Sequence, residues 1–132
     1  MVAALEAAAA DRERLRSVVA AARDGFEDRV VAATGAVVTG SGVDRLVQHS
    51  HLRIPGIAAE TMVIRLDRAG IAISAGSACA SGAVEVSHVL AAMGMDPRHA
   101  AECLRFSFGW TSQPDDGVAA AEAVIDVVAA LR

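Results

Sequence analysis

One thiol stands in a setting suited to chemistry. Cys79 lies in Ala75-Gly76-Ser77-Ala78-Cys79-Ala80-Ser81-Gly82, just past a short apolar run. A structural cysteine usually sits inside an apolar strand or helix. A loop of glycine, serine and alanine instead exposes a thiol, lets it move, and lets a substrate or partner approach the backbone. A helix that follows such a loop lowers the thiol pKa if the sulfur faces its N-terminus. The plainer reading is a tight connection with an incidental cysteine, and the local pattern alone does not separate the two.

Arg105 is the second candidate. It sits in Leu104-Arg105-Phe106-Ser107-Phe108-Gly109, a strand pattern with apolar neighbours. An arginine there needs an anionic partner or a route to solvent, and its planar fork suits a carboxylate held by two hydrogen bonds. The commoner case is an arginine on the solvent face of an edge strand. His49 and His51 are two apart on a strand and share a face; a polar strand face is expected rather than a metal pair. His88 follows the cysteine loop, where capping or packing is expected ahead of proton transfer. Cys103 is expected in the core, Glu60 as a first-turn helix acid, and Trp110 as a packing anchor.

These residues need elements to position them. Ala3 to Phe26 reads as an alanine-rich helix with Leu5, Arg12, Leu15, Val18, Val19 and Ala22 on its stripe. Val30-Val31 and Val37-Val38 predict one or two short strands within Arg29 to Val38, before a turn at Thr39-Gly40-Ser41-Gly42. Gln48 to Ile54 reads as a strand stopped by Pro55-Gly56. Ala59 to Ala69 reads as a helix with Met62, Val63 and Leu66 inward and Gly70 as its C′ residue. Ile71-Ala72-Ile73 reads as a short buried strand leading to the cysteine loop.

Val84 to Met93 predicts another helix, closed by Gly94. Asp96-Pro97 predicts an N-cap and first helical residue. Leu104 to Phe108 predicts a strand. The last helix begins near Ser112, with Pro114, Asp115 and Asp116 in its first turn and a stripe of Val118, Ala121, Ile125, Val128 and Leu131. About four short strands interleaved with about five helices imply an α+β fold, a small mixed or antiparallel sheet covered by helices.

Composition narrows the function classes. A chain of 132 residues, 54% hydrophobic and 3% aromatic, predicts one domain with a core of small aliphatic contacts. No run of eighteen apolar residues predicts a membrane span, and no basic n-region with an apolar core predicts a secretory signal. The expected compartment is the cytoplasm, where thiols stay reduced. A net charge of −4 without a basic tract disfavours nucleic-acid binding. No Cys/His spacing suggests zinc. All twelve basic residues are arginine. Without lysine, the chain cannot form a lysine Schiff base.

Taken together, the motifs resemble the C-terminal part of cysteine desulfurases of the NifS/IscS type, within the class-V aminotransferases. The resemblance rests on IAISAGSACASG (Ile71 to Gly82), Val86-Ser87-His88-Val89-Leu90, LRFSFG (Leu104 to Gly109), and Pro55-Gly56 followed by Glu60. It covers residues 50 to 132 in order; residues 1 to 49 match only in pattern. It implies a domain like the C-terminal domain of fold-type I pyridoxal 5'-phosphate enzymes, with an N-terminal helix over residues 1–28 and a small domain over 29–132.

It further implies that Cys79 takes sulfur from L-cysteine as a persulfide, leaving L-alanine, and that Arg105 holds the substrate carboxylate. Iron-sulfur scaffolds or other sulfur acceptors are the implied partners, and a homodimer the implied assembly. The departure from the family is the large domain that carries the aldimine lysine, which is absent from this chain. Alone, the chain is therefore expected to anchor no pyridoxal phosphate covalently and to be inactive without a separate large domain. A stand-alone persulfide relay or an inactive fragment are the alternatives, and selenium in place of sulfur stays open.

Overall fold

The computed structural model describes residues 2–75 and 87–132. Cys79 and the 76–86 segment lie outside the described residues, as do the first positions of the helix expected over Val84 to Met93. The described elements run α1 (Val2–Thr34), β1 (Val37–Val38), β2 (His49–Arg53), α2 (Ala59–Arg68), β3 (Ser74–Ala75), α3 (His88–Ala92), α4 (Pro97–Ala100), β4 (Cys103–Ser107) and α5 (Pro114–Leu131). The strands form one antiparallel sheet in the order β1-β2-β4-β3. This is the expected α+β architecture, with the sheet antiparallel throughout. No described helix is long and apolar enough to cross a membrane.

One face of the sheet carries the main core. Ser50, Leu52 and Ile54 from β2 and its exit join Leu104, Phe106 and Phe108 from β4 and its exit, and all are buried. Helix α1 meets them with Val19, Ala22, Phe26 and Val30, and α5 with Ala120, Ala121, Val124 and Val128. Phe26 packs on Phe106 with ring centroids 4.5 Å apart and on Phe108 at 5.8 Å. Offset and edge-on aromatic pairs at such separations stabilise beyond their buried area. Helix α2 adds Met62 and Leu66 to the same core.

The opposite face carries a smaller core at the start of β4, where Leu90 of α3, Ala100 of α4 and Cys103 pack with Met95. Helices α2 and α3 use the same stop. Ile71 N–H donates to Leu66 O at 2.8 Å and Gly70 N–H to Asp67 O at 2.9 Å. Met95 N–H donates to Leu90 O at 3.0 Å and Gly94 N–H to Ala91 O at 2.9 Å. Gly70 and Gly94 supply the left-handed residue these caps require, at φ 82° and 76°. Asp96 caps α4, accepting from Arg98 N at 2.8 Å. Asp116 accepts from Gln113 N at 2.9 Å at the start of α5.

Several expectations are corrected. Helix α1 does not stop near Phe26 but continues to Thr34, so Val30-Val31 is helical. Burial of Phe26 and Val30 outweighs the strand preference of paired valines. Only Val37-Val38 forms a strand. Ile71 and Ile73 are half-buried against the main core, but the strand begins only at Ser74, where pairing with Arg105 becomes available. The buried stripe of α5 is Gly117, Ala120, Ala121, Val124 and Val128, leaving Val118 and Ile125 half-exposed, because the smallest residues face α1. Trp110 is 76% exposed rather than packed.

Candidate functional site

Arg105 is positioned by alternation along β4. Leu104 and Phe106 turn inward, so Arg105 and Ser107 turn to the opposite face, where both are exposed. Antiparallel register then lines up its neighbours. His51 of β2 lies directly opposite Arg105, and Ser74 of β3 lies opposite it on the other side. Thr39 N–H donates to His51 O at 2.9 Å, extending the β1 pairing by one residue. The result is a transverse polar row, Thr39–His51–Arg105–Ser74.

This row floors a cleft of about 320 Å³. Val89, Leu90 and Met93 of α3 form its apolar wall, and Ser87 its rim. Ser74 and Ser87 stand on the two described sides of the segment that carries Cys79. Ser74, Ser87 and Arg105 therefore border one cavity. Among the described residues no carboxylate forms an ion pair with Arg105. Arg105 lines the cleft with no described anionic partner, an arrangement suited to an incoming carboxylate.

His51 is held by its own contacts. Its Nδ1 lies 2.9 Å from Thr39 Oγ1. Burial pushes the imidazole below its ordinary pKa, and the positive Arg105 lowers it further. His49 shares the face but meets Ser107 Oγ at 3.1 Å instead. The two histidines thus have separate hydroxyl partners, as a polar strand face should. No group of three or more His, Cys, Asp or Glu among the described residues could hold a metal.

The other expected residues fall elsewhere. Cys103 is buried, its Sγ donating to His99 O at 3.3 Å, and burial pushes its thiol pKa up. Glu60 is exposed in the first turn of α2. His88 is exposed at the start of α3. Glu102 closes the far end of the sheet: it pairs with Arg53 at 3.0 Å and accepts from Gly56 N at 2.8 Å. Thr39 and Ser74 escaped the sequence reading, since a turn threonine and a loop serine carry no signal until the register is known.

The cleft does not fit pyridoxal phosphate held as an imine. Its polar groups are hydroxyls, one imidazole and one guanidinium, and the chain has no lysine to supply an amine.

No protein-family model matches the chain. It is 35% identical over 129 residues to a cysteine desulfurase of Bradyrhizobium diazoefficiens, covering 98% of the chain and 33% of the relative. It is 38% identical over 112 residues to the IscS-like cysteine desulfurase of Mycobacterium tuberculosis, covering 83% and 28%. A NifS-like protein from Rickettsia africae shares the fold with a TM-score of 0.76 at 22% identity, covering 89% of the chain and 30% of that structure. A second NifS-like protein shares it with a TM-score of 0.81 at 20% identity, covering 96% and 31%. The chain thus spans about a third or less of the length of these relatives. In sequence it belongs to the NifS/IscS-type cysteine desulfurase family, and its α+β fold is shared with the NifS-like structures.

Proposed function

We propose that this chain is the cysteine-bearing domain of a cysteine desulfurase. Cys79 removes sulfur from L-cysteine and keeps it as a persulfide. The carbon–sulfur bond of the substrate breaks, a sulfur–sulfur bond forms on Cys79, and the substrate leaves as L-alanine. Arg105 holds the substrate carboxylate throughout. The sulfur then passes to an acceptor, such as a scaffold for iron-sulfur assembly. The observation that carries this reading is the exposed Arg105 in a cleft bordered by Ser74 and Ser87, on either side of the Cys79 segment. Family membership supports it.

In this reading the 132 residues act as one domain, in the cytoplasm and within a homodimer. None of these 132 residues is a lysine, so in this reading the lysine that holds pyridoxal phosphate lies outside them, in a large domain. In a second reading, these residues are a relay that receives a persulfide on Cys79 from another desulfurase.

The test is alanine release from L-cysteine by the chain mixed with pyridoxal phosphate and the large domain of a relative. The proposal expects release in the full mixture, none from the chain alone, and none with Cys79→Ser. Equal release with Cys79→Ser would refute it. Sulfur received on Cys79 from an intact relative, without alanine release by the mixture, selects the relay.

A further inference from the structure

We propose that His51 acts with Arg105 in holding a carboxylate, as a positioning residue that takes a proton from solvent when the anion binds; this rests on Arg105 being the carboxylate site. The two side chains occupy directly opposed positions of β2 and β4 and both line the cleft. Opposed residues on one face of an antiparallel pair are close enough to interact directly. Thr39 Oγ1, 2.9 Å from Nδ1, fixes the ring. A hydroxyl can accept from Nδ1–H whether or not the second nitrogen is protonated. The tether therefore survives the change of charge, and Nε2 is the atom left to respond.

The groups around His51 set the direction of that response. Arg105 faces it from β4 as a fixed cation, and Ser74 lies beyond on β3. Thr39 faces it from the β1 side. Helix α3 and its approach present Ser87, Val89, Leu90 and Met93, none of which titrates. On its own strand, His49 meets Ser107, and Arg53 is paired with Glu102. No described carboxylate faces the imidazole in the cleft. Without a bound anion, an imidazolium would sit in a half-buried site opposite a guanidinium, opposed by burial and by like charge. A carboxylate on Arg105 cancels that repulsion and gives the imidazolium an acceptor. By reciprocity, protonating His51 must then tighten the carboxylate.

The test is nuclear magnetic resonance titration of the histidine rings of the full chain, with and without saturating L-alanine. The L-alanine carboxylate stays ionised throughout the range in which histidine titrates. The expected result is a rise of about half to one unit in the His51 pKa with L-alanine, and an affinity about threefold or more greater at pH 5 than at pH 8. Arg105→Gln should abolish both effects, and His51→Gln should bind no more tightly at pH 5 than the wild type does at pH 8, with the pH dependence lost. An unmoved His51 pKa, with binding that still requires Arg105, would overturn the role of His51 and leave Arg105 standing. No binding, or binding indifferent to Arg105→Gln, would overturn both. The wild-type titration decides the matter even if a variant fails to fold.

Discussion

Gly117 of α5 lies so close to Ala22 of α1 that a β-carbon on the glycine would overlap the Ala22 carbonyl oxygen. The neighbour is backbone, which cannot swing aside as a flexible side chain would. Helices α1 and α5 form the layer that supports the inner face of the sheet. The smallest residue in α5 therefore sets how closely that layer closes. Gly117→Ala should destabilise the chain by at least about 2 kcal/mol through overpacking. Gly25, inside α1 with nothing within 4 Å of its missing β-carbon, is the control. Gly25→Ala should stabilise by about 0.5–1 kcal/mol through helix propensity alone. Denaturant unfolding of the two variants reads both, and the same sign for both would contradict the packing argument.

Glu27 and Arg45 form a bidentate pair, with both hydrogen bonds at 2.9 Å. Their side chains are only 10% and 22% exposed. The pair pins the connection between β1 and β2 onto α1. Burial alone would raise the Glu27 carboxyl, but the hydrogen bonds and charge of Arg45, with Arg23 nearby, leave it below its ordinary pKa. A carboxyl lowered in the folded state stabilises above its unfolded pKa and loses that stabilisation as pH falls through the folded value. Stability should therefore decline below about pH 4.5, and more shallowly in Glu27→Gln. Removing one partner of so buried a pair, as in Glu27→Ala, should cost about 3 kcal/mol at neutral pH. Thermal unfolding from pH 7 to pH 3 measures the slope and the offset.

Cys103 is screened from reagents by burial, and its raised pKa keeps it a thiol at neutral pH. In Cys79→Ser, iodoacetamide should leave the native chain unlabelled and should add a single label after denaturation. Mass spectrometry reads the difference. Prompt native labelling of that variant would mean that the small core around Leu90, Ala100 and Cys103 opens readily.

Arg105 makes no ion pair among the described residues, and its side chain is exposed. Arg105→Gln should therefore leave the unfolding midpoint nearly unchanged. In the reconstituted mixture it should raise KM for L-cysteine by about 10- to 100-fold, the usual worth of a hydrogen bond to a charged group. Steady-state kinetics beside a melting curve separate the two effects. A large loss of stability with an unchanged KM would make Arg105 structural.

Much of this was legible in local sequence. The alternation Leu104-Arg105-Phe106 placed Arg105 on the face away from the main core. Gly70 and Asp96-Pro97 marked helix ends that the hydrogen bonds reproduce. What was not legible depends on distant partners. Val30-Val31 carries strand propensity, yet Val30 is helical and buried in the core that Phe26, Phe106 and Phe108 share. The stripe of α5 is rotated because its closest contact is made by a glycine, which a hydrophobic pattern does not weight. Trp110 has a core residue's chemistry and a surface residue's position. The row Thr39–His51–Arg105–Ser74 joins four strands whose register no local pattern contains, so the cleft appears only after the sheet is assembled.

The most direct measurement of the central claim is the intact mass of the chain after incubation with L-cysteine, pyridoxal phosphate and the large domain of a relative. The account predicts one added sulfur atom, removable by a thiol reductant, mapped to Cys79, and absent when the large domain is omitted or Cys79 is serine. No added sulfur in the complete mixture or with an intact relative as donor, or the same gain in Cys79→Ser, would contradict it.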